Sequence, residues 1–424
     1  MTGTPAPAQR FAPGFAPAIA WDVERIRGDF PILSRQVYDQ PLTYLDNAAS
    51  AQKPSSVIEA VGNCYRQEYA NVHRGIHFLS EHASAAYEAV RRQVQEYIHA
   101  SSPREIVFVR GTTEAINLVA QSYGRPRLGP WDEVLITEME HHSNIVPWQM
   151  LCEQTGARLL YVPIDDRGEL VREEYERLLG PCTRLVAVTH VSNALGTVND
   201  IRWLVERAHA NGAPVLVDGA QAIPHMPIDV TQLDCDFYAF SAHKFFGPTG
   251  IGILYGKERH LENMPPWEGG GNMIRAVTMA KAVYNESPHR FEAGTPHIAG
   301  VMGLGAAIRY MESLDPVALQ AHEAELLQHA SAFLREIPGV RLVGTAERKC
   351  SLLSFTVDGI HPHDLGTVLD QEGIAIRAGH HCSMPVMERF RIPATARASF
   401  AFYNTIEEAG RLADALRKAV RLLS

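Results

Sequence analysis

The chain has 424 residues, of which 46% are hydrophobic and 21% charged, with a formal net charge of −9. That length suits two packed domains, and the acidic balance argues against nucleic acid or an anionic membrane as the partner. No stretch approaches the roughly 20 apolar residues of a membrane-spanning helix, and six scattered cysteines without a CxxC pair argue against a disulfide framework and for a reducing, cytoplasmic setting.

Residues 1–20 are rich in Ala and Pro, without an apolar core segment, and read as a flexible tail rather than a signal peptide. Residues 21–42 are expected to pack against a small C-terminal domain. From 43 to 300 the pattern is that of a large α/β domain. Ala83, Ala86, Tyr87, Val90 and Val94 fall on one face of a helix, with Arg91, Arg92 and Gln95 on the other. The strands expected are Ile106–Val109, Val134–Thr137, Leu159–Val162, Leu185–His190, Val215–Asp218 and Phe237–Phe240. Such nearly continuous apolar runs, separated by helical stretches, imply a mostly parallel sheet covered on both faces. The Gly-rich Trp267–Met273 breaks the alternation, and a helical region follows from about Ile298 to Leu334. Val340–Ser424 then reads strand, strand, helix, strand, helix, strand, helix, which makes 301–424 a second, smaller α/β domain.

Three features point to one cofactor. After Ile106–Val109 come Gly111, Thr112 and Thr113 at the start of a helix, whose free N–H groups and hydroxyls suit a phosphate; an ordinary helix cap is the plain alternative. Asp218 ends an apolar strand, where parallel sheets bind ligands, and a carboxylate there can hold a pyridine nitrogen protonated; it could equally cap a helix. Lys244 follows strand Phe237–Phe240 within Ser241–Gly252, flanked by His243, Phe245 and Phe246. Partial burial would lower its pKa and favour a Schiff base. Each feature alone has a structural explanation, whereas the three in this order point to pyridoxal phosphate.

The chain resembles the class V aminotransferase family of fold-type I pyridoxal-phosphate enzymes, and within it the SufS-type cysteine desulfurases. The resemblance rests on Tyr44–Ser50, Asn71–His77, Arg110–Glu114, Met139–Trp148, His190–Thr197, Val217–Gln221, Ser241–Gly252, Pro265–Gly271, Arg290–His297, Arg377–Pro385 and Arg397–Thr405. It implies a seven-stranded sheet and a homodimer. It also implies that His141 stacks on the cofactor ring, Asp218 pairs with the ring nitrogen and Gln221 bonds the phenolic oxygen. Thr112, Thr113, Ser241 and His243 would hold the phosphate, with Thr295 from a second subunit. Asn193 and Arg397 would bind the substrate carboxylate, Arg377 would line the pocket, and Asn47, Ala49 and His142 would lie against substrate.

Cys382 decides the reaction. It follows an expected strand, Ile374–Arg377, in a short loop bounded by Gly379 and Pro385. A cysteine attacks as thiolate, which nearby Arg377 and a histidine can favour. L-cysteine would yield L-alanine and a persulfide on Cys382, with Lys244 moving the Cα proton and Cys382 taking the sulfur. The sulfur would pass to an acceptor of SufE or SufU type for iron–sulfur cluster assembly. Selenocysteine lyase is the alternative in the same pocket, and a transaminase or kynureninase-like activity is another on the same fold. A zinc site on His380, His381 and Cys382, with His141 and His142 from elsewhere in the chain, is disfavoured, because adjacent residues rarely share one metal at good geometry. Ser383 and His297 depart from the family pattern; Ser383 is expected to solvate the loop, and His297 to be structural.

Overall fold

In a computed structural model describing residues 21–423, the apolar runs form the middle of the molecule; the expected tail, 1–20, lies outside the described residues. Helix α1 (Phe78–Tyr97) leads into strand β1 (Ile106–Val109) and helix α2 (Thr112–Leu118). Strands β2 (Glu133–Thr137), β3 (Arg158–Val162), β4 (Thr183–Thr189), β5 (Val215–Asp218), β6 (Phe237–Ser241) and β7 (Gly252–Gly256) complete a seven-stranded sheet in the order β1-β7-β6-β5-β4-β2-β3. Neighbours from β6 to β3 are parallel, and β7 runs antiparallel to β1 and β6. All strands except β7 therefore point their carboxyl ends to one edge. Every residue of β1, β2, β5, β6 and β7 is buried, which is why these runs carry no polar face.

Strand β7 was not among the expected strands, because glycines at both ends weaken its signal. Gly252 is there for space: a Cβ would lie 2.5 Å from Gly111 Cα and 2.7 Å from the Phe240 carbonyl oxygen. Its absence lets the ends of β1 and β6 close around β7, which brings Gly111 to Ser241. Helix α1 buries Ala83, Tyr87, Val90 and Val94 as its periodicity demands. Arg91, expected on the polar face, is instead buried. Its Nη1 and Nη2 meet Glu292 at 2.6 and 3.0 Å, its Nε meets Glu88 at 2.8 Å, and its guanidinium lies 4.5 Å over the Phe108 ring. An arginine so paired can be buried where a lone one could not.

The expected long helical region is two helices, α3 (Ile298–Glu312) and α4 (Pro316–Arg335), with Asp315 capping α4 through the Val317 N–H. Strands β8 (Val340–Val343) and β9 (Leu352–Val357), helix α5 (Pro362–Gln371), strand β10 (Arg377–Gly379), helix α6 (Met384–Phe390), strand β11 (Thr395–Ser399) and helix α7 (Ile406–Leu423) follow. They build an antiparallel sheet of order β8-β9-β11-β10. Helix α3 buries Val301, Leu304 and Ile308 in the larger core with Phe245 and Phe246, whereas Leu326 and Leu334 of α4 join the core under the smaller sheet. The first helix of 301–424 thus belongs by packing to the larger core. The expected strand Ile374–Arg377 is split: Ile374 and Ala375 pair in parallel with Thr43 and Tyr44, and Arg377 opens β10. Residues 21–42 lie at the seam. Trp21 Nε1 donates to the Phe402 carbonyl at 3.0 Å, Arg27 pairs with Glu408 at 3.0 Å, and Phe30 packs on Phe246 and Tyr403.

Candidate active site

At the carboxyl edge of the large sheet, the loops after β1, β2, β4, β5 and β6 enclose a cavity of about 530 Å³ that the loop bearing Cys382 and Arg397 close from the smaller sheet. The Thr112 N–H donates to Ser241 Oγ at 2.8 Å, and the two hydroxyls lie 2.8 Å apart. Asp218 is buried, with Oδ1 accepting the Ala220 N–H at 2.9 Å. Behind Lys244, Phe245 and Phe246 are fully buried, which fixes the loop and aims the lysine inward.

Burial governs the titrations here. It lowers the Lys244 pKa to about 8, opposed by Asp218 and assisted by Arg397. It raises that of Asp218, opposed by the Ala220 N–H and by Lys244. His141 falls to about 3 through burial, Lys244 and His142, so its ring is neutral. Its Nδ1 accepts the Ser143 N–H at 3.1 Å, which leaves the proton on Nε2. His243 falls to about 4 through burial, Lys244 and Lys53.

The opposite wall is cationic. Arg397 is buried, donating from Nη1 to the Asn193 carbonyl at 2.8 Å and from Nη2 to Asp46 Oδ1 at 3.3 Å. Burial lowers its pKa to about 10, and its buried Nε has no partner. Arg377 reaches the same carboxylate, with Nε to Oδ1 at 3.1 Å and Nη2 to Oδ2 at 2.9 Å. One carboxylate between two guanidiniums leaves positive charge for an anion. Asp46, in the quoted Tyr44–Ser50 stretch, was not singled out from sequence; the signal available was that two arginines at one site require a counter-charge.

Cys382 is exposed at the cavity mouth, and both it and His381 hold left-handed backbone, φ 55° and 54°. The loop is pinned on both sides. The His142 N–H donates to the Cys382 carbonyl at 2.7 Å, the Met384 N–H to His142 Nε2 at 3.1 Å, and Asn193 Nδ2 to the His381 carbonyl at 2.7 Å. His381 is buried, bonds Thr395 Oγ1 at 2.7 Å and is held near pKa 3 by burial and the two arginines. It is therefore neutral.

The cavity brings together Ala49, Thr112, Thr113, His141, Asn193, Asp218, Gln221, Ser241, His243, Lys244, Arg377, Cys382 and Arg397. Three expected residues fall elsewhere. Asn47 is a buried tie to the Ser399 carbonyl at 2.7 Å, Asn404 Oδ1 at 3.1 Å and the Tyr403 hydroxyl, leaving nothing for substrate. His142 lies under the Cys382 loop and holds its backbone rather than lining the cavity. Thr295 is exposed and does not line the cavity of its own chain. Ser383 does not solvate the loop: it is fully buried and donates to Asn193 Oδ1 at 3.1 Å. Among the described residues, the metal-competent neighbours of Cys382 are His142 and His380, both in the set weighed for zinc, whereas His141 and His381 lie outside the cluster. His142 Nε2 and His380 Nδ1 each already accept a backbone N–H, so a metal would compete with those bonds at these atoms.

The profile of the class-V aminotransferases ("Aminotransferase class-V") matches residues 43–412. The chain belongs to that family. It is 54% identical over 408 residues to a cysteine desulfurase of Dickeya dadantii, covering 96% of this chain and 99% of that protein. It is 51% identical over 403 residues to a cysteine desulfurase of Synechococcus elongatus, covering 95% of this chain but only 64% of that longer protein. The crystal structure of the Escherichia coli cysteine desulfurase CsdA, in its S-sulfonic acid form, superposes with a TM-score of 0.89 at 40% identity, covering 96% of this chain and all of that one. The fold is accordingly that of the fold-type I enzymes, and pyridoxal phosphate is the cofactor.

The residues present fit that cofactor. An amine held near neutrality suits an aldehyde, a buried carboxylate that influences that amine suits a pyridine nitrogen, and the Thr112, Thr113 and Ser241 donors suit a phosphate. The buried, unpartnered Arg397 Nε is a donor left over that suits an anion.

Proposed function

We propose that this chain is an L-cysteine desulfurase that releases L-alanine and keeps the sulfur as a persulfide on Cys382, supplying iron–sulfur cluster assembly. The observation that carries this reading is an exposed thiol at the mouth of the same cavity that holds Lys244 at its floor and Arg397 in its wall. Lys244, Asp218, Gln221, His141, Thr112, Thr113, Ser241 and His243 would hold the cofactor, and Arg397 and Asn193 the substrate carboxylate. Once bound, the cofactor supplies the electron sink for the pair released when the Cα–H bond breaks. Lys244, neutral above about pH 8, takes that proton. The Cys382 thiolate attacks the substrate sulfur; the S–S bond forms as the C–S bond breaks, and protons return to the three-carbon product. The electrons the carbon gains are those the sulfurs lose, so no outside oxidant is needed.

A persulfide must be discharged to another thiol, which supports an acceptor protein of SufE or SufU type. The exposed Thr295 supports a homodimer in which a second subunit completes the phosphate end. No helix among the described residues is long and apolar enough to cross a membrane. The test is to mix purified protein with L-cysteine and measure alanine together with labile sulfur. Native protein should yield both, with the sulfur mapped to the Cys382 peptide, and Cys382→Ala should lose persulfide. Undiminished cysteine turnover by Cys382→Ala would sink the mechanism.

A further inference from the structure

The nucleophile loop is tied to the substrate-anion wall by a residue that has no other work. Ser383 stands immediately before helix α6, the position from which a serine normally accepts an N–H of the first helical turn. It makes no such bond, and its fully buried hydroxyl turns away to donate to Asn193 Oδ1 at 3.1 Å. The other end of the same planar amide, Nδ2, donates to the His381 carbonyl at 2.7 Å. The Asn193 main-chain carbonyl in turn accepts from Arg397 Nη1 at 2.8 Å. Asn193 therefore touches both the guanidinium of the anion wall and the strained residue beside Cys382.

Two pins at opposite ends fix the plane of an amide, whereas one pin lets it pivot. Left-handed backbone at His381 and Cys382 is costly for residues with a Cβ and persists only where neighbours over-determine it. The hydrogen on Asn193 Nδ2 that His381 does not use remains for a ligand in the cavity that Asn193 lines.

We propose that Ser383 is a positioning residue: its hydroxyl sets the Asn193 amide so that one N–H holds the nucleophile loop and the other meets the α-carboxylate at Arg397. Carboxylate recognition and the placement of Cys382 are thereby made by one side chain. This rests on the desulfurase reading for the identity of the carboxylate as that of a substrate amino acid, but the coupling can be tested without turnover.

The test compares alkylation of Cys382 in the holoenzyme by iodoacetate, which carries a carboxylate, and by neutral iodoacetamide, each displacing iodide, with modification mapped by mass spectrometry. Native enzyme should show a marked preference for iodoacetate relative to a free thiol. Ser383→Ala should lower that preference roughly threefold to tenfold, the worth of one neutral hydrogen bond. It should also raise KM for cysteine and lower kcat together, while keeping the yellow colour of bound cofactor. Ser383→Thr, which retains the hydroxyl, should restore the native ratio. An unchanged ratio in folded, coloured Ser383→Ala would overturn the proposal, as would its loss in Ser383→Thr. Were native enzyme to form no persulfide with cysteine, the desulfurase reading would fail while the alkylation ratio still judged the role of Ser383.

Discussion

Lys244 is useful because it is uncomfortable. Burial brings its ammonium down to about pKa 8, and Asp218 limits the fall. Because the pKa is lowered, the reactive neutral amine is populated above about pH 8 rather than only above the ordinary lysine range. The rate at which apoprotein captures pyridoxal phosphate should therefore rise with pH to half its plateau near 8; a midpoint near 10.5, the value of an unburied lysine, would contradict this. Asp46 is the matching case on the opposite wall. It balances Arg397 and Arg377 together, so Asp46→Asn should leave a buried guanidinium without its carboxylate. A loss of about 3 kcal/mol in stability is expected, read from the urea midpoint. A change below half a kcal/mol would show the arginines to be balanced some other way.

At the scale of elements, what was legible and what was not divide along physical lines. Strands β1, β5 and β6 could be read because burial on both faces leaves an unbroken apolar signature, and the chemistry sits between their last residue, as Asp218 and Ser241 do, and four residues past it, as Thr113 does. Strand β7 escaped because Gly252 answers to the close approach of Gly111, a steric need that no propensity records. Arg91 escaped because helical periodicity treats every arginine as surface, whereas its partner Glu292 lies 201 residues away. The same distance in sequence hid Asn47, bonded to Ser399 across 352 residues, and Ser383, bonded to Asn193 across 190. Residue type announced the site, and long-range pairing decided which residues face it. Helix α1 offers a check on this account. Glu292→Ala leaves Arg91 the half-buried Glu88 as its only carboxylate, and should cost about 3 kcal/mol by denaturant unfolding. A near-neutral result would mean that Glu88 alone suffices.

For the whole molecule, the active site is a seam. The large sheet presents Lys244, Asp218 and the hydroxyl donors, the smaller sheet presents Arg377, Cys382 and Arg397, and segment 21–42 bonds the two together. A second copy bringing Thr295 to the phosphate end would make each subunit half of two sites. Thr295→Val should then weaken cofactor binding several-fold, the worth of about one hydrogen bond. Heterodimers of Thr295→Val with Lys244→Ala should recover one native site, seen as restored cofactor affinity; no recovery would place Thr295 within its own subunit's chemistry. The order of events across the seam is the central claim: the lysine on one side must take a proton before the thiol on the other can take sulfur. Mass mapping of Cys382 in Lys244→Ala after incubation with L-cysteine tests it most directly. The thiol should remain unmodified although Cys382 is intact and alkylatable, and a persulfide on Cys382 in that variant would contradict the account.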